Sequence, residues 1–298
     1  MKNKRGNKVT VGLIQMKAAE SPQINLTQAV RKVREAAEKG AQIISLSELF
    51  RTLYFPQNRS RDHFRLAEPV PGPTTELFRT LARELRVVII VPIFEKRSRK
   101  LFYNTAAVID ADGKAIGIYR KTHLPNDPCF YEKFYFKPGD LGFPSYQTRY
   151  GKVGVLICWD QWFPEAARLI ALSGAQVLFY PTAIGWHGKE KKETRLEERE
   201  SWEIVQRAHA AENGIYVAVA NRVGREGAIH FWGGSFAVGP FGEVMAQASG
   251  TSEETLIVHC DFSKINQVRR NWPFLRERRI DAYGGISNRL DEKRKLKS

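Results

Sequence analysis

No stretch of the sequence approaches the roughly 20 consecutive apolar residues that a membrane-spanning helix needs, so a helical membrane span is excluded. The apolar run after the charged start Met1–Lys8 ends at Lys17 and alternates through Val9, Val11 and Leu13. That pattern predicts a strand rather than a signal peptide, and with it a soluble, cytoplasmic protein. Cysteine is equally scarce. Cys129, Cys158 and Cys260 lie far apart, with no C-x-x-C pair and no metal-ligand spacing, which predicts a reducing compartment and argues against a structural zinc site. Acids are in deficit, 32 Asp and Glu against 47 Lys and Arg, for a net charge of +15. Residues 1–8 carry a net +4 and residues 262–298 a net +7, so most of the excess sits at the two ends. No helix-turn-helix, RNP-type or basic-zipper pattern accompanies it, and a terminal basic fringe of this kind reads as solvated surface rather than a nucleic-acid interface.

The chain itself is long enough, at 298 residues and 43% hydrophobic, to bury a large core. Its composition does not shift as it would at a linker. One α/β domain is predicted, with a core of about 8–271, an arm of about 272–285 and a loose basic tail over 286–298.

The most informative stretch is 151–172. Val153, Val155 and Ile157 alternate as in a buried strand, and Pro164 opens a helical spacing of Ala166, Ala167, Leu169 and Ile170. Cys158 falls at the break, where unpaired N–H groups and a helix's positive end would lower its pKa toward a usable thiolate. A simply buried cysteine is the competing reading, since free Cys is among the most buried residue types.

Two other strand exits carry charge. A strand followed by a helix over 25–38 and the short strand Ala41–Leu46 form a parallel crossover unit, and functional groups collect at the carboxyl ends of such strands. Glu48 stands at that end, where an exposed loop carboxylate would be the ordinary outcome. Tyr103–Asp110, Asp112-Gly113 and Ala115–Tyr119 predict a hairpin whose second strand runs into Lys121. That lysine is either a solvated strand end or a charge aimed into a cleft.

Further along, Asn126–Asp140 is a loop dense in aromatics, and Thr194 with Glu197 predicts a capping box opening a long helix to about Glu212. A strand over Ile215–Ala220 ends at Asn221-Arg222. Three short strands near 233–238, 242–247 and 254–260 predict a meander finishing the sheet, before a last helix over 262–271. A carboxylate, a lysine and a thiol at three strand ends suit general-base, oxyanion and nucleophile roles on an amide or nitrile carbon.

Leu46-Ser-Glu48-Leu-Phe, Tyr119-Arg-Lys121-Thr-His-Leu-Pro, Tyr131-Glu132-Lys-Phe-Tyr-Phe and Ile157-Cys158-Trp-Asp-Gln-Trp-Phe-Pro-Glu together resemble the nitrilase, or carbon–nitrogen hydrolase, superfamily over about residues 8–285. The resemblance implies a four-layer αββα sandwich, with Cys158 as nucleophile, Glu48 as general base, Lys121 as oxyanion stabiliser and Glu132 as a second active-site carboxylate. It implies no cofactor and no metal, and a homo-oligomer carrying the arm Trp272–Tyr283 onto a partner. Trp159, Asn126, Tyr131, Thr182, Ala183 and His187 would contact a small carbamoyl or amide substrate. Residues 158–168 and 180–185 are most similar to members that hydrolyse N-carbamoylputrescine to putrescine, ammonia and carbon dioxide. Another N-carbamoyl compound or a small amide is the alternative substrate. A basic nucleic-acid-binding protein and a silent scaffold are the alternative classes. The chain departs from that branch where acids would meet a distal ammonium, with Asn126 and His187 in their places, which predicts tolerance of neutral or acidic substrate tails; another acid such as Asp127 supplying the charge is the competing reading.

Overall fold

The computed structural model describes residues 7–188 and 191–288. The charged residues 1–6 and most of the basic tail, 289–298, lie outside the described residues. One six-stranded sheet contains β1 (Lys8–Gln15), β2 (Ile43–Ser45), β3 (Val88–Ser98), β4 (Leu101–Ile109), β5 (Ala115–Arg120) and β15 (Glu254–Asp261), in the order β15-β1-β2-β3-β4-β5. A second contains β6 (Ser145–Thr148), β7 (Gly151–Val155), β8 (Val177–Pro181), β10 (Tyr216–Ala220), β13 (Phe236–Val238) and β14 (Val244–Gln247), in the order β14-β13-β10-β8-β7-β6. A small sheet of β9 (Gly185–His187), β11 (Val223–Glu226) and β12 (Ile229–Trp232) caps one end.

The central strands β1, β2 and β3 pair in parallel, as do β7, β8 and β10. Parallel pairing requires crossovers, which supply the outer layers. Helices α1 (Pro22–Glu38) and α2 (Pro73–Leu85) cover the first sheet, and α4 (Pro164–Leu172) and α5 (Lys192–Asn213) cover the second. Helix α1 begins where the Ser21 hydroxyl accepts from the Ile24 N–H and Pro22 occupies the first turn, a combination that satisfies one orphan donor and omits another. Its buried Ala29, Val33 and Ala36 pack with Phe78, Leu81 and Ala82 of α2 over Ile44, Ile89 and Val91. Between the sheets, Val11, Leu13, Val88, Ile90 and Val108 meet Val153, Val155, Leu178, Val217 and Val219. The result is an αββα sandwich, as the resemblance implied.

Three expectations change. Strand β15 does not extend the second sheet as a meander; it crosses to the first and pairs antiparallel with β1 over all eight residues, Lys8 opposite Asp261. Its half-buried faces suit an edge position in either sheet, so alternation alone could not assign it. Helix α5 starts at Lys192 with Lys191 as its N-cap, whose side chain makes no capping hydrogen bond, so Thr194 is already inside the helix and forms no capping box. Strand β7 ends at Val155 rather than Ile157, and a 3₁₀ turn covers Cys158–Trp162. The last helix, α6 (Ser263–Asn271), lies where the sequence put it.

Candidate active site

Three strand exits converge. Glu48 follows β2, Lys121 follows β5 directly, and Cys158 follows β7. Glu132 opens the short helix α3 (Glu132–Tyr135) inside the aromatic loop. Glu48, Lys121 and Glu132 are all fully buried, and Cys158 is 5% exposed, which removes the solvated-end readings of Glu48 and Lys121. The Lys121 Nζ donates to Glu48 Oε1 at 2.7 Å and to both oxygens of Glu132 at 2.8 and 2.7 Å. Asn104 of β4 donates to the same Glu48 oxygen at 2.7 Å, and Tyr54 donates to Glu132 at 2.7 Å. Glu48 Oε2 makes no hydrogen bond. A carboxylate with one oxygen anchored twice and the other unengaged can accept a proton.

Cys158 has φ +44°, in the left-handed region that costs a non-glycine residue on the order of 1 kcal/mol or more. Asp160 holds that turn in place. It is buried and accepts from the Ile157 N–H, the His123 N–H and the Tyr119 hydroxyl at 2.9, 2.9 and 2.8 Å. His123 also brings its Nδ1 to 2.7 Å from Asp160 and stacks on Phe163. The Cys158 turn and the segment after Lys121 are thus tied through one carboxylate. The thiol lies 3.8 Å from the Ala183 carbonyl, to which it donates.

The electrostatics reverse one expectation. Burial first, and then the Glu48 carboxylate, push the Cys158 thiol well above its ordinary value, with Lys121 opposing them. The helix mouth that was to lower it is too far along the chain, since α4 begins only at Pro164. Burial also raises Glu132 to about 7 against the pull of Lys121. Lys121 is held charged above the usual lysine range: burial disfavours the ammonium, but Glu132 and Glu48 outweigh it.

A cleft of about 420 Å³ opens above Cys158. Of the residues expected to contact substrate, Trp159, Ala183 and His187 line it, together with Glu132. The other three expected contacts lie elsewhere. Asn126 is exposed beside the cleft without lining it. Tyr131 packs its ring under Arg59, and Thr182 is buried with its hydroxyl donating to the Tyr180 carbonyl. Sequence reasoning missed Asn104, Tyr54, Asp160, Trp162 and Trp232. A buried Asn interrupting an apolar strand is a usable signal for Asn104; Tyr54 carries none. Asp127, Glu197 and Glu198 supply carboxylates to the cleft wall, and its described lining includes no lysine or arginine. Among the described residues no group of three or more His, Cys, Asp or Glu is placed to hold a metal.

Residues 10–270 match the carbon–nitrogen hydrolase family model. The chain is 45% identical over 284 residues to an N-carbamoylputrescine amidase of Solanum lycopersicum, covering 92% of this chain and 93% of that one. It is 38% identical over 283 residues to a citrullinase of Francisella tularensis, covering 93% and 98%. Among solved structures, a carbon–nitrogen hydrolase from Helicobacter pylori G27 superposes with a TM-score of 0.92 at 41% identity, covering 95% of this chain and 99% of that one.

Proposed function

The chain belongs to the carbon–nitrogen hydrolase family, and on that premise we propose that it hydrolyses N-carbamoylputrescine to putrescine, ammonia and carbon dioxide. The observation that carries this reading is the cleft: the Cys158 thiol and Glu132 line it, Lys121 and Glu48 are hydrogen-bonded directly behind Glu132, and the wall's described charged residues are all acids. The reacting end of the substrate fits beside that thiol. Its far end is an ammonium, which needs a carboxylate or an aromatic face once it leaves water. Asp127 and Glu197 offer the first, and Trp159, Trp162 and Trp232 the second. Citrulline, by contrast, carries a carboxylate beside its far ammonium, so these acids would attract one charge and repel the other, and N-carbamoyl-β-alanine ends in a carboxylate alone. The absence of acids at Asn126 and His187 therefore does not leave an ammonium unmatched, and the expected tolerance of acidic tails is withdrawn.

In the mechanism we propose, the resting thiol is neutral. Glu48 Oε2 takes the sulfur's proton as Sγ bonds to the carbamoyl carbon, so attack and proton transfer are coupled. Lys121 and the Trp159 N–H hold the negative oxygen of the tetrahedral adduct. Glu48 returns its proton to the departing nitrogen as the C–N bond breaks. Water, deprotonated by Glu48, then attacks the thioester-like adduct, the sulfur leaves and is reprotonated, and the released carbamate loses carbon dioxide. Glu132 keeps Lys121 in place. No step calls for a cofactor or a metal.

The test is kcat/KM for N-carbamoylputrescine, L-citrulline and N-carbamoyl-β-alanine, read as ammonia release. N-carbamoylputrescine is expected to lead by ~10²-fold, and Asp127→Asn with Glu197→Gln to lose at least ~10-fold of it, mainly through KM. A lead for either carboxylate-bearing substrate overturns the substrate assignment.

We also place residues 8–271 in one hydrolase domain that works as a homo-oligomer in the cytoplasm. Leu169 and Leu172 of α4 and Leu196 and Ile204 of α5 are exposed, as are Phe241, Trp272 and Phe274, whose rings meet in sequence, edge to face and then tilted. Apolar area of this kind beside Arg276, Arg278 and Arg279 suits an interface. Light scattering is expected to give a dimer or larger at micromolar concentration, and truncation before Trp272 to weaken assembly. A native monomer contradicts this. No described helix is long and apolar enough to cross a membrane.

A further inference from the structure

Arg222 stands between β10 and β11 and is 1% exposed, and Glu226, four residues on, is 4% exposed. Neither touches the cleft. The Arg222 Nη1 donates to both Glu226 oxygens at 2.7 and 2.8 Å. Its Nη2 lies within hydrogen-bond distance of three main-chain carbonyls, those of Glu48 (3.0 Å), Leu49 (2.9 Å) and Thr52 (3.2 Å). Glu226 in turn accepts from the Tyr54 N–H at 2.6 Å, and the Tyr54 hydroxyl donates to Glu132.

We propose that the Arg222–Glu226 pair is a positioning device that sets both active-site carboxylates from behind. The turn it grips is under strain: Leu49 has φ +49°, a conformation that persists only where the surroundings over-determine it. Three carbonyls converging on one guanidinium nitrogen supply that determination, and only arginine's planar fork can serve them and a carboxylate together. Removing two ions from water is costly, so a buried pair is poor evidence of a purely stabilising role. One hand of the fork fixes the segment from which Glu48 projects. The other, through Glu226 and Tyr54, fixes the hydroxyl on Glu132. A displacement of the base by about 1 Å is enough to cost ~10²-fold in rate.

This inference rests on the reading of Glu48 as general base, and the experiment separates the two. Arg222→Lys keeps a charge for Glu226 and loses the fork; kcat is expected to fall ~10²-fold with KM within ~3-fold of the parent. Arg222→Met with Glu226→Leu removes both charges, a replacement that is often neutral or stabilising, so its melting temperature is expected near the parent's while kcat stays low. A purely structural pair would regain kcat along with stability. Glu226→Gln, which keeps size and shape, gives the same split at ~10-fold if the other variants fail to fold. An Arg222→Lys enzyme within ~3-fold of the parent, or full recovery of kcat in the folded double variant, overturns the positioning role. Glu48→Gln at parental kcat overturns the base assignment instead.

Discussion

Cys158→Ala is expected to lower turnover of N-carbamoylputrescine by at least ~10⁴-fold while the circular dichroism spectrum and melting temperature stay close to the parent's. Deleting the nucleophile of a covalent mechanism removes a step, and the residual rate reflects binding and polar groups alone. The structural cost is small because the side chain is short, its contact to the Ala183 carbonyl is long at 3.8 Å, and alanine meets the same strain at φ +44° as cysteine does. The other two thiols serve as controls. Cys260 lies on β15, where burial pushes it up to about 12, and Cys129 is half-buried in the loop before α3; alanine at either is expected to retain activity. An active Cys158→Ala enzyme, purified free of host hydrolases, would remove Cys158 from the mechanism.

Lys121→Met is expected to damage both chemistry and fold. The ammonium is the shared partner of two fully buried carboxylates, and breaking a buried pair by removing one member costs about 3–5 kcal/mol because a charge is left behind. Activity should fall by at least ~10²-fold through loss of oxyanion stabilisation. The pH dependence of stability identifies the cause. A carboxyl group whose folded pKa is raised binds more protons in the folded state, so stability is lost as pH rises from its ordinary value through the raised one. For Glu132 in the parent that window runs from 4.5 to about 7. Without the lysine that pulls it down, the window extends further upward. The melting temperature of Lys121→Met is therefore expected to decline more steeply than the parent's between pH 5 and 8. A parallel decline in the two proteins would mean that Lys121 does not hold the carboxylates' charge.

Three parts of the site are legible in the sequence because each ends a strand: Glu48 and Cys158 break off buried apolar runs, and Lys121 follows the partly exposed second strand of a hairpin. Glu48, Lys121 and Cys158 could be found that way because strand exits in a doubly covered sheet gather at one edge. Glu132 has no such marker and came from the resemblance alone. The supports of the site were illegible for a different reason. Arg222 reaches carbonyls some 170 positions earlier in the chain, and no local pattern encodes contact at that distance. The direction of the thiol's shift was also hidden, because burial outweighed every local dipole. Asp127, next to Asn126, was within reach of the sequence as a substitute acid, but Glu197 sits on a helix that only the fold brings to that loop, so comparing position with position at Asn126 and His187 missed it.

The pairing of β15 with β1 sets a constraint on how the molecule is made. Lys8 finds its neighbour Asp261 only after all the residues between them have been made. Until then β1 presents an open row of backbone donors and acceptors on that side, the kind of edge that recruits other chains. Closing a loop of ~250 residues costs about 5 kcal/mol of chain entropy by the logarithmic law. That cost is met late, once β2 to β5 have already been made. Synthesis runs from one end while the first sheet is completed from both, and the interval between the two is when a nascent chain is most exposed to its neighbours.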